Sequence, residues 1–119
     1  MRRPISCFVI TCNEVDRIEQ CLQSVAGWVD ELLVIDSGST DGTLEIARRY
    51  TDRIYETDWP GFGPQRNRAL NWCTHDWVLS LDADEVVTDA LQKEVDKVLS
   101  EADLNDNFLK FPWHTYLFG

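Results

Sequence analysis

An α/β fold, with a mostly parallel sheet carrying helices on both faces, follows from three features of the sequence. Short apolar runs rich in β-branched residues alternate with stretches of helical apolar spacing, and the alternation repeats four times. Each run stops at polar residues, as strands do when they deliver side chains to one edge of a sheet. The chain has 119 residues, 44% of them hydrophobic and 27% charged, which is the composition of one well-packed globular domain.

The elements are expected in the following order. Ile5 to Ile10 is a compact strand, after which Val15, Ile18, Leu22 and Val25 recur at helical spacing up to Gly27. Leu32 to Ile35 forms a second buried strand that stops at Asp36. Ser37 to Gly42 is a turn of small and capping residues opening a helix to about Tyr50. Arg53 to Tyr55 is a short third strand. Trp59 to Pro64 is then a loop whose second proline suits the first turn of a helix carrying Gln65, Arg66, Ala69 and Leu70. Trp77 to Leu81 is a fourth strand, and Leu91, Val95, Val98 and Leu99 form one face of a helix for which Asp89 is the expected cap. Phe108 to Phe111 restarts strand character after a polar connection.

Ligands of such sheets bind beyond the carboxyl ends of the strands. Here those ends are Thr11 to Glu14, Asp36 to Asp41 and Asp82 to Glu85. Topology therefore gathers polar residues that the sequence scatters.

The net charge of -10, with no basic run, argues against a nucleic-acid partner. An acidic cluster can instead hold a divalent cation that bridges to an anionic ligand such as a diphosphate. Cys7, Cys12, Cys21 and Cys73 show neither a zinc spacing nor a regular disulfide pattern, so reduced and mostly buried thiols are expected, which suits the cytoplasm. The apolar run after Met1-Arg2-Arg3-Pro4 is too short and polar for a signal peptide or membrane helix. Membrane association, if present, is expected to be peripheral.

Asp82-Ala83-Asp84-Glu85 is the strongest chemical signal. On an extended chain Asp82 and Asp84 point the same way, and their hard oxygens suit Mg²⁺ or Mn²⁺. The competing reading is a solvated acidic turn that caps the next helix. Asp36 has two readings as well, a ribose- or base-reading carboxylate or the cap of the Ser37 to Gly42 turn, and Asp41 is either a binding residue or a helix cap. Thr11, Asn13 and Glu14 offer hydrogen-bonding groups at the first strand exit. Arg66 can pair with a diphosphate, with the acidic cluster, or with a surface carboxylate. Trp59 and Phe62 form either an apolar platform for a sugar or acceptor, or core.

The ordered segments Phe8-Val9-Ile10-Thr11-Cys12-Asn13-Glu14, Val34 to Thr43, Gly61 to Leu70 and Trp77 to Glu85 together resemble the family 2 glycosyltransferases of GT-A fold. The Trp59-Pro60-Gly61-Phe62-Gly63 loop with Asp82-Ala83-Asp84-Glu85 looks most like the lipopolysaccharide core β-glucosyltransferase branch. That resemblance implies an inverting, metal-dependent transfer of a hexose, glucose, from a UDP-sugar to a lipopolysaccharide core or related glycan or lipid-linked saccharide. It implies nucleoside binding at Thr11, Asn13 or Glu14 and Asp36, a basic residue near the diphosphate at Arg66, and donor and metal binding at Asp82 and Asp84, with Asp84 the direct ligand. The family's catalytic base lies on the acceptor side after the Asp-x-Asp strand, and no residue up to Gly119 matches it. Residues 1–119 are therefore expected to be a single nucleotide-sugar-binding domain, the N-terminal part of a longer one, working at the cytoplasmic face of the inner membrane.

Two other readings share these residues. A binding module without catalysis would need the same cleft but no base. A haloacid dehalogenase-type phosphatase would use Asp82 as nucleophile, but that motif opens its domain, whereas three strand-helix units precede Asp82 here. A phospho-receiver domain needs paired acids after the first strand, which Thr11-Cys12-Asn13 lacks. The five aromatics between Phe108 and Phe118 predict a homo-oligomer that covers them.

Overall fold

The computed structural model describes residues 2–101, together with the backbone of two further strands. The elements run β1 (Ile5–Thr11), α1 (Ile18–Ala26), β2 (Glu31–Asp36), α2 (Thr43–Ala47), β3 (Arg53–Glu56), α3 (Phe62–Trp72), β4 (Trp77–Asp82), α4 (Asp89–Leu99), β5 (Phe108–Phe111) and β6 (Thr115–Phe118). They form one sheet in the order β3-β2-β1-β4-β6-β5. The first four strands are parallel, and the β5–β6 hairpin adds to the β4 edge antiparallel.

The predicted two-faced sheet is present, and side-chain alternation explains it. In β1 every residue is buried, so both faces of the strand are covered. Ile5, Cys7 and Val9 pack with Ile18, Leu22 and Val25 of α1, Ala47 of α2, and Leu91, Val95 and Leu99 of α4. Phe8 and Ile10 turn the other way, toward Ala69 of α3, with Leu33, Ile35 and Val78 from the flanking strands. The sheet carries α1, α2 and α4 on one face and α3 on the other.

The crossover from β3 to β4 passes beneath β2 and β1, so the strand order reverses between β1 and β4. Ligands of open α/β sheets bind beyond the carboxyl ends of the strands at such a reversal point. At the other pole, Glu31 ties the strands together. It accepts hydrogen bonds from Ser6 Oγ, from Arg53 Nη1 and from both the backbone N–H and the hydroxyl of Thr74. Burial pushes the Glu31 carboxyl up, but these donors outweigh it and hold the group below the usual range.

Local details depart from expectation at two helix starts and one helix end. Thr88, not Asp89, caps α4, its Oγ1 accepting from Leu91 N at 3.1 Å, because a β-region backbone one residue earlier aims the hydroxyl at the first turn. Val15 lies outside α1, since the Glu14 carbonyl first closes a turn with the N–H groups of Arg17 and Ile18. Regular α2 ends at Ala47, and the next residues close by turn bonds to Ala47 and Ile46. Pro64 occupies the first turn of α3, as anticipated. No helix among the described residues is long and apolar enough to cross a membrane.

Candidate active site

The exits of β1, β2 and β4 and the β3–α3 loop enclose a cleft of about 520 Å³, lined by Ile10, Thr11, Cys12, Glu14, Ser37, Trp59, Phe62, Asp82, Ala83 and Asp84. Strand register explains the grouping. Ile10 stands beside Asp82, Thr11 stands beside Asp36, and the Ile10 carbonyl continues the ladder by accepting from Ala83 N. The cleft therefore sits at the β1/β4 reversal point.

Asp82 is the last residue of β4, but Ala83 and Asp84 belong to the turn that follows. The two carboxylates share the cleft through that turn, not through alternation along a strand as the sequence pattern suggested. Glu85 holds the turn closed: its Oε1 accepts from Asp82 N at 2.8 Å, and its own N–H donates to the Asp82 carbonyl. Burial pushes the Asp82 carboxyl up, Asp84 and Glu14 push it further, and Arg66 opposes them. Burial raises Glu85 as well, against the bond from Asp82 N. Burial is thus the leading cause that pushes both carboxyls up, with the neighbouring carboxylates adding to it.

Thr11 contributes to the cleft lining at 3% exposure, and among the described residues its buried Oγ1 has no hydrogen-bond partner. A buried hydroxyl without a partner costs free energy unless a ligand supplies one. Glu14 lines the same space.

Asp36 is fully buried and does not line the cleft. Its carboxylate accepts from the N–H groups of Gly38 (3.1 Å) and Ser39 (2.9 Å) and from the Ser39 hydroxyl. Gly38 has φ 93°, a conformation that favours glycine, so the turn depends on both residues. Asp41 is engaged in the same manner: its carboxylate accepts from Thr43 N, the Thr43 hydroxyl and Val15 N, and these bonds, led by the Thr43 hydroxyl, hold it below the usual range. Asn13, at φ 53°, accepts from Thr40 N through Oδ1 and donates its own N–H to Ser39 Oγ. Asn13, Asp36 and Asp41 thus take part in the hydrogen bonds that hold the β1 and β2 exits together.

Arg66 is half-buried on α3, with its guanidinium carbon 5.9 Å from the Phe62 ring centroid. Its positive charge opposes the upward push on the Asp82 carboxyl. A cation that the spacing did not reveal is Arg17, whose Nη1 lies 3.8 Å from Asp84 Oδ2. That contact joins the start of α1 to the end of β4, and no local pattern announces it. Cys12 is the exposed thiol of the four, all of which are free. Cys7 and Cys21 are buried, and burial pushes Cys21 and Cys73 up to about 12. His75 precedes β4 at the far pole, its N–H donating to Ser6 Oγ.

This arrangement, a parallel 3-2-1-4 sheet with a strand-terminal carboxylate pair over its reversal point, is that of a ligand-binding α/β domain. The chain belongs to glycosyl transferase family 2, whose family model matches residues 6–112, and its fold is the GT-A fold. A lipopolysaccharide core biosynthesis glycosyltransferase, LpsC, of Rhizobium meliloti is 33% identical over 84% of this chain and 38% of its own length. Glucosyl-3-phosphoglycerate synthase of Mycobacterium tuberculosis, solved with Mg²⁺ and UDP, superposes with a TM-score of 0.62 at 32% identity, covering 71% of this chain and 34% of that one. A mannosyltransferase of Pyrobaculum calidifontis, solved with GDP-mannose and Mn²⁺, has a TM-score of 0.78 over 99% of this chain and 45% of its own; at 24% identity it supports the fold alone. The chain spans about two fifths of the length of the curated relatives it matches. Family membership and the position of Asp82 on the fourth strand remove the phosphatase alternative.

Proposed function

We propose that this chain is the donor-binding part of an inverting, metal-dependent glycosyltransferase that moves a hexose, glucose, from a UDP-sugar to a lipopolysaccharide core or related glycan or lipid-linked saccharide. The observation that carries the reading is the single cleft in which Thr11, Glu14, Asp82 and Asp84 meet at the reversal point of the sheet. The relative named for lipopolysaccharide core biosynthesis supports the acceptor class, and the UDP and Mg²⁺ or Mn²⁺ in the synthase structures support the donor and the ion.

The residues fit a divalent cation. Asp82 and Asp84 offer hard oxygens, and Asp82 is pushed up by burial and by Asp84, so added positive charge suits the site. Among the described residues no group of three or more His, Cys, Asp or Glu side chains stands ready for a metal. Asp84 and Asp82 would hold the ion jointly with diphosphate oxygens and water, as Mg²⁺ commonly requires. When bound, such an ion offsets the charge on the departing nucleoside diphosphate.

The chain's own residues have distinct tasks in this reading. Thr11 offers its unpartnered hydroxyl to the nucleoside, and Glu14 a carboxylate. Asn13, Asp36 and Asp41 hold the loops that carry them, and Arg66 balances Asp82 and attracts the diphosphate. The catalytic base is assigned to the acceptor side. The enzyme would work in the cytoplasm at the inner membrane face, peripherally attached, and as a homo-oligomer.

The test is calorimetry of UDP binding with and without Mn²⁺, on the unaltered chain and on Asp84→Ala. The expected result is binding that needs the ion and weakens at least tenfold in the variant, since even residues supporting a metal ligand commonly matter 10–100-fold, roughly. Undiminished UDP binding in chelator would sink the metal role, and no heat with UDP at any metal concentration would sink the donor role. A second reading is a binding module without turnover. It predicts the same heats but no sugar transfer or donor hydrolysis.

A further inference from the structure

We propose that Ser24 of α1 is a positioning residue for the Asp82–Asp84 pair, and that its hold on the turn after β4 sets how tightly that pair binds a divalent cation; the inference rests on the donor-binding reading above. Ser24 does not line the cleft. It belongs to a stripe of α1, Arg17, Cys21 and Ser24, whose i, i+4 and i+7 spacing puts them on one face of the helix. Each reaches the segment that follows β4. Arg17 Nη1 lies 3.8 Å from Asp84 Oδ2, Cys21 Sγ donates to the Asp82 carbonyl at 3.6 Å, and Ser24 Oγ accepts from Val87 N at 3.0 Å. The Ser24 carbonyl also accepts from Gln92 Nε2 at 2.7 Å, which ties in the start of α4.

Within the stripe, Ser24 makes the strongest hold. The Arg17 contact is long and both its side chains are exposed, and a pair of that kind contributes little. A thiol is a weak donor, and the Asp82 carbonyl also accepts from Glu85 N. The Ser24 hydroxyl is used on both sides: its hydrogen goes to the Cys21 carbonyl at 2.6 Å, which leaves a lone pair for Val87 N.

The course of the turn links that bond to the carboxylates. Ala83 N donates to the Ile10 carbonyl, Glu85 N to the Asp82 carbonyl and Val87 N to Ser24 Oγ, so alternate residues are bonded inward. Ala83 and Val87 are buried, whereas Asp84 and Val86 are exposed. β4 fixes the near end of this segment and Ser24 the far end, and Asp84 is thereby kept on the cleft beside Asp82. Without the hydroxyl, Val87 N loses its partner, and turning that N–H toward water rotates the segment that carries Asp84. Groups that hold a metal's ligands in place matter roughly 10–100-fold in affinity.

Calorimetry of UDP binding across a series of Mn²⁺ concentrations, on the unaltered chain and on Ser24→Ala, Ser24→Cys, Ser24→Thr and Thr74→Val, reads this effect. Ser24→Ala is expected to raise the Mn²⁺ concentration that half-saturates UDP binding about tenfold, while UDP affinity at saturating Mn²⁺ changes less than about twofold. Ser24→Cys, whose thiol is a weaker acceptor, is expected to give an intermediate rise, and it decides the matter if Ser24→Ala does not fold. Ser24→Thr keeps the hydroxyl and is expected to restore the ion requirement of the unaltered chain. Thr74→Val removes a hydroxyl bonded to Glu31 at the far pole, so it weakens the fold without touching the turn, and the ion requirement is expected to stay unchanged. The proposal is overturned if Ser24→Ala and Ser24→Cys need no more Mn²⁺ than the unaltered chain, or if Ser24→Thr does not restore the requirement. It is also overturned if Thr74→Val raises the requirement as much, which would make the effect a general loss of stability. UDP binding by the unaltered chain that is absent or indifferent to Mn²⁺ overturns the donor- and metal-binding reading, and this inference with it.

Discussion

Replacing Asp36 with Asn separates the two roles that its sequence position permits. In the structure the carboxylate is fully buried, and it accepts two backbone N–H groups, Gly38 at 3.1 Å and Ser39 at 2.9 Å, and the Ser39 hydroxyl. An Asn of the same shape keeps one acceptor oxygen and turns an NH₂ group toward donors. At least one buried N–H or O–H then loses its partner, and the remaining bonds lose their charge. Hydrogen bonds to charged groups are each worth about 1.5–3 kcal/mol, so a loss of about 3–5 kcal/mol is expected. That is a large part of the roughly 5–15 kcal/mol that stabilises an ordinary domain. Urea unfolding followed by far-UV circular dichroism provides the measurement. With a slope of about 2 kcal/mol per molar urea, the midpoint falls by roughly 2 M. A variant that unfolds at the unaltered midpoint yet binds UDP many-fold more weakly would refute the reasoning and make Asp36 a direct ligand-reading residue.

Four other perturbations test separate parts of the account. Gly61→Ala is expected to cost about 1–3 kcal/mol, because φ 108° is hostile to a side chain even though the nearest atom to a new Cβ, Pro64 Cδ, is 3.8 Å away; denaturant melts would check it, and an unshifted midpoint would count against that strain. Thr88→Ala removes the α4 cap and is expected to cost about 1 kcal/mol in the same assay, whereas Asp89→Ala changes little. Labelling of the native chain by a thiol-reactive disulfide is expected to modify Cys12 first. Cys21 and Cys73, pushed up to about 12 by burial, and buried Cys7 should wait for unfolding, and UDP with Mn²⁺ should slow the Cys12 phase. Below neutral pH, Asp30 and Asp58 weaken the fold on protonation. A hydrogen bond from Arg2 holds Asp30 low and one from Arg68 holds Asp58 low, so their contribution is present above the ordinary aspartate value of 3.8 and is lost as pH falls through their lower folded values. Carboxyl NMR titration would detect this, with Arg2→Ala moving Asp30 upward.

Much of the site was legible in the sequence, for reasons that are local. Apolar runs ending at Thr11, Asp36 and Asp82 predicted strands, and parallel topology obliges their carboxyl ends to share one edge of the sheet. Thr11, Glu14, Asp82 and Asp84 do meet there, and Trp59 and Phe62 face the same space. The two readings left open for Asp36 and Asp41 could not be separated by pattern. A carboxylate at a strand end satisfies the turn or faces a ligand according to its rotamer, and neighbours distant in the chain set that rotamer.

The sequence by itself determined the class of fold, because the period of apolar residues dictates strand or helix and which faces must be buried. It also determined that acidic groups would gather at one pole. Only the tertiary structure decided how each of them is used. Register brought Ile10 beside Asp82 and Thr11 beside Asp36. Burial left the Thr11 hydroxyl without a partner among the described residues while giving Asp36 three donors. Packing of α1 against the sheet carried Arg17 to Asp84, and the β3–α3 loop kept Trp59 and Phe62 out of the core. Each of these outcomes depends on distances between residues far apart in the chain, which periodicity does not encode and close packing of the whole domain does.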